Sequence, residues 1–349
     1  MDKSEVNYLI IEGGQKHYEA ADFLKGFSII TIVLMHIVQN YLVSVPAFVY
    51  TASSLGGAGV HLFFICSGFG LYLSYLRHKQ TFPEFIRRRF ARIYIPYIIV
   101  VLVSFFIPCM YEGSGRFIAL LSHIFLFKMF IPAYEQSLGG QFWYTSTIIQ
   151  FYLIFIPLCR LKEKFGRKRT FLLICFALSV IWWIVTYISG LCEERIWASF
   201  FLQYLWEFAF GMCIAEHLFS GRQIKVRRWL ILLFAAAGLV LYAMMALRSD
   251  LLRTFNDIFS VIGYGGLVLF IYSLGIGPFN RLILWFSKIS YEWYLVHILI
   301  ITVIFELFSP QTLGMSVIAA LAALPLTVIA AYLYNRAIAK VSAKTAERR

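Results

Sequence analysis

The chain has 349 residues, of which 60% are hydrophobic, 18% are aromatic and only 14% are charged. Because a soluble domain usually carries about 25% charged residues, this composition excludes an ordinary soluble domain and predicts a membrane protein. The formal net charge of +13 lies in short basic clusters between long apolar runs. That pattern is typical of membrane-protein loops and argues against a nucleic-acid-binding protein.

Ten segments are long and apolar enough to cross a bilayer, since each spanning helix needs about 20 predominantly apolar residues. They lie at 23–44, 58–76, 93–111, 141–159, 170–190, 198–217, 229–247, 257–276, 289–307 and 314–336. The sequence therefore predicts an all-α fold, a polytopic transmembrane helical bundle of about ten spans, within one membrane domain that covers the whole chain.

Basic loops predict the orientation of these spans. Four basic segments are expected in the cytoplasm, at 77–92, 160–169, 222–228 and 340–349. Both termini are therefore expected inside, and the polar segment 1–20 does not resemble a signal peptide. Segment 116–133 is also apolar, but counting it as a crossing would place the 160–169 cluster outside. It is predicted to be a re-entrant or interfacial helix instead.

The first span carries polar side chains at positions where apolar residues would have no free-energy cost of insertion into the bilayer. Asp22 and Lys25 stand near its start, and His36, Gln39 and Asn40 near its end. Lys25 and His36 are three helical turns apart, so they share one helix face at a separation of about 16 Å. Ionisable groups inside spans cost at least about 2.5–3.5 kcal/mol, which makes this stripe a candidate for chemistry. The alternative is that Lys25 snorkels and His36 hydrogen-bonds a neighbouring helix.

The second span begins with the stretch "GGAGVHLFFICSGFGLYL" at 56–73. His61 is predicted near its outer end, and Ser67 follows about two helical turns below. Both are candidate substrate-binding residues. The alternative is that the small residues of this stretch only permit close helix packing.

An arginine cluster adjoins the third span in the stretch "FIRRRFARIYIPY" at 85–97. Arg88, Arg89 and Arg92 are predicted on the cytoplasmic side, where the guanidinium fork suits the binding of phosphate groups. The alternative is a topology signal or a contact with anionic lipids.

Four further polar or aromatic residues are candidates for substrate binding. Trp143 and Gln150 lie in the stretch 139–155, which could equally be an interfacial aromatic belt. Glu207 lies within a span and needs a partner, such as a histidine or a water chain. His297 also lies within a span, and its alternative role is that of a packed, hydrogen-bonded histidine.

The six cysteines form no metal-ligand spacing, and most lie inside apolar runs, where a free cysteine behaves as a small hydrophobic residue. The sequence predicts neither a metal site nor a bound cofactor.

Five stretches in order make the chain resemble the integral-membrane acyltransferase family 3: "DFLKGFSIITIVLMH", "GAGVHLFFICSGF", "FIRRRFARIYIPY", "FWYTSTIIQFYLIF" and "SKISYEWYLVHI". The resemblance covers essentially the whole chain. It implies about ten transmembrane helices and O-acylation of a surface carbohydrate or its lipid-linked precursor, with cytoplasmic acyl-CoA as the donor. Acetyl is the expected acyl group, and a bacterial cytoplasmic membrane is the expected location.

The chain departs from the family pattern at several positions. Lys25 stands where the family commonly has arginine, with ten residues between it and the histidine. His61 stands where the family often has an acidic residue, and Ile148 and Ile149 replace a glutamate pair. No soluble hydrolase-like domain is appended, so transfer to the acceptor would occur in the membrane domain or on a separate partner.

Acyl transfer from a thioester to a hydroxyl requires a base, a hold on the donor and stabilisation of the oxyanion. His36 is predicted to be the base, because an unperturbed imidazole pKa near 6.5 suits proton transfer. Lys25, oriented by Asp22, is predicted to hold the phosphates of coenzyme A together with the arginine cluster. The predicted cavity lining and substrate contacts are Ser67, His61, Trp143, Gln150, Glu207 and His297.

Two other functions remain open at this stage. A proton-coupled transporter or flippase would use His36, His61, Glu207 and His297 as a proton path. The sequence lacks a matching pair of Gly/Pro-broken helices in two halves, which such transporters often show. A structural or regulatory membrane protein is the third possibility.

Overall fold

The computed structural model describes residues 7–111, 113–246 and 255–347. Its helices are α1 Glu19–Asn40, α2 Ala47–Ser54, α3 Gly59–Arg77, α4 Phe82–Phe106, α5 Arg116–Ile124, α6 Trp143–Phe165, α7 Lys168–Ile188, α8 Arg195–Ala198, α9 Leu205–Phe219, α10 Arg228–Ala246, α11 Asp257–Ser260, α12 Gly266–Ser273, α13 Gly277–Lys288, α14 Ser290–Phe308 and α15 Leu313–Glu347. Two short strands, β1 Tyr8–Ile11 and β2 Ile224–Arg227, complete the regular elements of this part of the chain.

Eight helices among the described residues are long and apolar enough to cross a membrane, and the prediction of an all-α polytopic bundle is confirmed. The predicted crossings at 198–217 and 257–276 correspond to shorter apolar helices. Residues Phe201–Tyr204 form a 3-10 turn that precedes the 15-residue α9. A π-turn at Val261–Gly265 joins α11 to α12. Residue 247, the last of the predicted crossing 229–247, lies outside the described residues. Residues 348–349 of the basic tail do so as well.

The segment between α4 and α6 contains a helix that is too short to cross. The nine residues of α5 span about 14 Å at 1.5 Å per residue, against a hydrocarbon thickness of about 30 Å. Whether it is re-entrant or interfacial stays a prediction. Short 3-10 turns at Lys128–Phe130 and Pro132–Tyr134 follow it. Gly139, at φ 137°, then turns the chain into α6, a conformation that favours glycine.

Two ionisable side chains of this segment, His123 and Lys128, are buried against protein. His123 donates from Nε2 to the Ser137 carbonyl (2.9 Å) and accepts at Nδ1 from the Tyr97 hydroxyl (2.6 Å). Lys128 is fully buried, and its Nζ donates to the Gly139 carbonyl at 3.2 Å. Burial lowers the pKa of Lys128 to about 7, because a charged amine loses its hydration there.

The two strands pair antiparallel, with Tyr8 opposite Arg227 and Leu9 opposite Val226. Lys225 Nζ lies 4.7 Å from the centre of the Tyr8 ring, a cation–π contact. The sequence did not predict this sheet, since each strand has only four residues. It joins the segment before α1 to the basic loop before α10, two segments that were both predicted to be cytoplasmic.

The chain divides into two compact units. Unit 1 comprises Met1–Ser28, Ala58–Phe85 and Thr147–Ser287, and unit 2 comprises Ile29–Gly57, Ile86–Ser146 and Lys288–Arg349.

In unit 1, α3 and α9 pack with their backbones in contact. A Cβ atom on Gly68 would overlap the Phe208 carbonyl, and one on Gly211 would overlap the Ile65 carbonyl. Small residues of this kind let membrane helices approach closely. The packing interpretation is therefore correct for Gly68, and the close approach carries His61 on α3 and Glu207 on α9 to one place.

In unit 2, α14 and α15 hydrogen-bond to the backbone of α4. The Tyr291 hydroxyl donates to the Ile93 carbonyl and the Tyr334 hydroxyl to the Pro96 carbonyl, each at 2.7 Å. Pro96 lies inside α4 and cannot donate a helical hydrogen bond, which loosens the local ladder. Trp293 Nε1 also donates to Thr327 Oγ1 at 2.9 Å. These contacts hold α14 and α15 against α4 and against each other.

Gly68→Ala should destabilise the protein, because the added methyl group meets backbone rather than a movable side chain. Overpacking of this kind costs about 1–3 kcal/mol. Thermal unfolding of the purified protein in detergent should show a lower midpoint.

Gly70→Ala is the matched control, since it lies on the same helix and its Cβ would meet nothing within 4 Å. It should be neutral or slightly stabilising. Equal effects of the two substitutions would contradict the close approach of α3 and α9.

Lys128→Met should stabilise the protein more at pH 7 than at pH 9. The pKa of Lys128 falls from 10.5 to about 7 on folding, so the unfolded chain holds the extra proton between these values. The contribution of Lys128 to the free energy of unfolding of the wild type therefore rises with pH between these two pKa values, and it is lowest below about pH 7. The gain in the free energy of unfolding produced by Lys128→Met should be larger at pH 7 than at pH 9 by roughly a few kcal/mol. Unfolding midpoints at both pH values measure it.

Lys164→Met, at an exposed lysine, controls for the loss of a surface charge. If Lys128→Met and wild type respond in parallel to pH, the amine is not buried as the structure shows.

Candidate active site

Two histidines from distant helices of unit 2 meet at hydrogen-bonding distance. His36 Nδ1 on α1 lies 2.9 Å from His297 Nε2 on α14, and the two rings are within 6° of parallel. His297 is fully buried, whereas His36 is only partly so. The pair therefore has one fully buried member and one partly exposed member.

Their hydrogen bonds determine which nitrogen carries each proton. His297 Nδ1 lies 3.0 Å from the Trp293 carbonyl, which can only accept, so Nδ1 of His297 is the donor. With both rings neutral, His297 Nε2 then accepts, and the donor to it is the N–H of His36 Nδ1. The tautomer inferred for His36 carries its lone pair on Nε2, where a general base needs it.

The surroundings of His297 tie α14 to the start of α6. The Tyr294 hydroxyl donates to the Gln141 carbonyl at 2.7 Å and lies 3.0 Å from Thr145 Oγ1. The Tyr294 ring centre is 6.5 Å from that of His297. Sequence reasoning missed Tyr294, although its position three residues before His297 places both on one helix face. Predicted Trp143 is the first residue of α6 and is half-buried, with its ring against Tyr144.

The predicted arginine cluster lies on α4 in unit 2. Arg88 and Arg92 are exposed and four residues apart, so they share one helix face. Arg89 is half-buried. Three guanidinium groups on one turn and a half can bind phosphate oxygens.

Asp22 pairs with Lys25 at the start of α1. The Asp22 carboxylate forms an ion pair with Lys25 and a contact of 2.8 Å with His17 Nε2, a residue that sequence reasoning did not single out. All three belong to unit 1. Asp22 also lies in the first turn of α1, where a negative charge favours the helix dipole. The helix α1 extends from Glu19 to Asn40 and so contains both Lys25 and His36.

A second buried cluster in unit 1 joins His61 with Glu207. His61 Nδ1 lies 2.7 Å from Glu207 Oε1, and His61 Nε2 lies 3.7 Å from Asp257 Oδ1. Gln203 Nε2 donates to Asp257 Oδ2 at 2.7 Å. The histidine partner expected for Glu207 is thus present. Sequence reasoning missed Asp257 and Gln203, which stand at the ends of apolar segments where polar residues are common.

Gln150 and Ser67 belong to neither of the histidine clusters described above. Gln150 Oε1 accepts the backbone N–H of Phe201 at 3.2 Å, which ties α6 to the 3-10 turn before α9 within unit 1. Ser67 is half-buried on α3. Their predicted contact with substrate stays a prediction.

Comparison with known proteins gives one family and one relative. A family model described as an acyltransferase domain matches residues 18–336. The acyltransferase MdmB of Streptomyces mycarofaciens is 26% identical over 192 residues, which are 51% of this chain and 46% of that protein. The aligned region thus spans less than half of that relative. No solved structure matches the chain.

Proposed function

The chain belongs to the integral-membrane acyltransferase family 3, with a domain match over residues 18–336, and on that premise we propose that it moves an acyl group from acyl-CoA to a carbohydrate hydroxyl. That it is an acyltransferase follows from the family. The donor, the acceptor and the residues that act are the proposal. A surface carbohydrate or its lipid-linked precursor is the proposed acceptor, acetyl the proposed acyl group, and the bacterial cytoplasmic membrane the proposed location.

The pairing of His36 with His297 is the observation that carries the mechanism. In the tautomer inferred above, His36 Nε2 accepts the proton of the acceptor hydroxyl while the oxygen attacks the thioester carbonyl carbon. A C–O bond forms and the C–S bond breaks. The imidazolium of His36 returns its proton to the coenzyme A sulfur. His297 does not touch the reacting atoms; it is a positioning residue that holds the His36 ring and its tautomer, as buried partners of catalytic histidines do.

The arginine cluster is the proposed site for the phosphates of coenzyme A. Arg88 and Arg92 point from one exposed face of α4, and their planar forks match phosphate oxygens. Lys25, held by Asp22, is the proposed further cation for the donor.

The family membership weakens the transporter alternative. The three histidines and the glutamate on which that alternative depended each have a local partner, so their positions do not require a proton path.

His36→Ala should reduce acyl transfer by about 10²–10⁴-fold, the usual contribution of a general base, while binding of acetyl-CoA to the purified protein persists. Transfer is measured as radiolabel moved from acetyl-CoA to the glycan fraction of membrane vesicles, and binding by titration calorimetry. His297→Ala should lower kcat with less effect on KM for acetyl-CoA.

His78→Ala, at an exposed histidine that follows α3, is the control and should leave transfer unchanged. Retention of full activity in His36→Ala would assign the base elsewhere. Absence of acetyl-CoA binding by the wild-type protein would remove the proposed donor.

Lys25→Arg should retain acetyl-CoA binding, because the positive charge and the pairing with Asp22 remain. Lys25→Met should weaken binding by about tenfold, the effect of losing roughly 1.4 kcal/mol of charge-assisted contact. Lys16→Met removes an exposed lysine just before α1 and serves as the control. Equal affinities for wild type and Lys25→Met would exclude Lys25 from donor binding.

A further inference from the structure

Three side chains with metal-ligand chemistry converge inside unit 1. His61 on α3, Glu207 on α9 and Asp257 at the start of α11 offer one imidazole nitrogen and two carboxylates, whose ligand atoms lie within 4.8 Å of one another. Glu207 is fully buried and Asp257 is 7% exposed. Glu207 lies 146 residues from His61 along the chain, which is why ligand spacing in the sequence did not reveal them.

The cluster lacks a fixed cationic partner within the part of the chain that the structure describes. Each carboxylate has an ion-pair contact with His61 only, and no described lysine or arginine pairs with either. The Tyr204 ring packs 5.7 Å from the His61 ring and shields it. Two buried carboxylates without compensation cost several kcal/mol each, so protons or a bound cation must neutralise them.

The distances favour a cation between His61 and Asp257. The 2.7 Å contact with Glu207 Oε1 places the imidazole proton on Nδ1 and leaves the lone pair on Nε2. The 3.7 Å from Nε2 to Asp257 Oδ1 is too long for a hydrogen bond. Two metal–ligand bonds of about 2.0–2.2 Å would bridge this distance with a ligand–metal–ligand angle of roughly 125°. A bridging water, with two hydrogen bonds of about 2.8 Å, would need a more acute angle of roughly 80°.

Outer contacts orient both ligands as they do in known metal sites. Gln203 donates to Asp257 Oδ2 and leaves Oδ1 facing the imidazole. Glu207 accepts from the far nitrogen of the ring, the arrangement in which a carboxylate positions a metal-binding histidine.

An independent observation points to a ligand at the same place. Glu207 Oε2 is buried and has no hydrogen-bond partner among the described residues. A carboxylate oxygen that is buried without a donor carries a desolvation cost of about 1–3 kcal/mol or more. A water molecule that a bound cation draws into the cluster would supply the missing donor.

We propose that His61 Nε2 and Asp257 Oδ1 bind a divalent transition-metal cation, with Glu207 as the outer carboxylate that orients the His61 ring. A mixed nitrogen and oxygen ligand set suits Zn²⁺ or Mn²⁺ better than Ca²⁺, which prefers oxygen ligands alone. The site shares no residue with the proposed His36–His297 pair, so its failure would leave the acyl-transfer proposal standing, and the reverse also holds.

The test uses the full chain in detergent, purified without a polyhistidine tag, stripped of metal by a chelator and then titrated with Zn²⁺ and Mn²⁺. Elemental analysis should find one metal ion per chain in the wild type. His61→Gln and Asp257→Asn should abolish stoichiometric binding. Glu207→Gln should weaken affinity by about 10–100-fold, the usual effect of losing an outer-shell partner.

Glu216→Gln is the matched control, because this carboxylate lies on the same helix as Glu207 but pairs with Lys162 and Lys168. It should bind metal like the wild type. Zn²⁺ should raise the thermal midpoint of the wild type and of Glu216→Gln only. Wild-type protein that binds neither metal would overturn the proposal, whether or not the variants fold, and would show that protons neutralise the cluster. Undiminished binding by His61→Gln would equally overturn it.

Discussion

A buried imidazole inside a membrane-spanning helix has no water to satisfy its two nitrogens, so protein groups must do so. In unit 2 this constraint produces a directed chain of hydrogen bonds, from His36 through His297 to the Trp293 carbonyl. Since a carbonyl can only accept, the direction of the whole chain is determined at its buried end. The lone pair of His36 is consequently placed on Nε2, and the proposed base follows from a backbone oxygen in another helix.

Much of this architecture could be predicted from the sequence. Apolar runs of about 20 residues predict the spans, and the spacing of Lys25 and His36 predicts their shared helix. The interruptions in the spans at 198–217 and 257–276 could not be predicted from hydropathy, because a 3-10 turn and a π-turn have the same apolar composition as a helix. The short sheet was likewise below the length at which periodicity is informative.

The candidate residues were easier to predict singly than in their pairings. His36, His61, Glu207 and His297 each stood out as polar groups in apolar runs, but His36 and His297 are 261 residues apart. The contact between these two histidines depends on tertiary packing, which no local sequence pattern reveals. Asp257, Gln203 and Tyr294 were missed because polar groups near helix ends are common. Close helix contact through Gly68 and Gly211 is what turns isolated polar residues into a cluster.

The tautomer of His36 tests the central claim most directly. Nitrogen NMR of the protein with labelled histidine, assigned by comparison with His36→Ala, distinguishes a protonated from an unprotonated ring nitrogen. The hydrogen-bond chain predicts that His36 is protonated on Nδ1 and unprotonated on Nε2. It also predicts that His297 is protonated on Nδ1. A neutral His36 with its proton on Nε2 would contradict it, because that nitrogen could then not accept the proton of a hydroxyl.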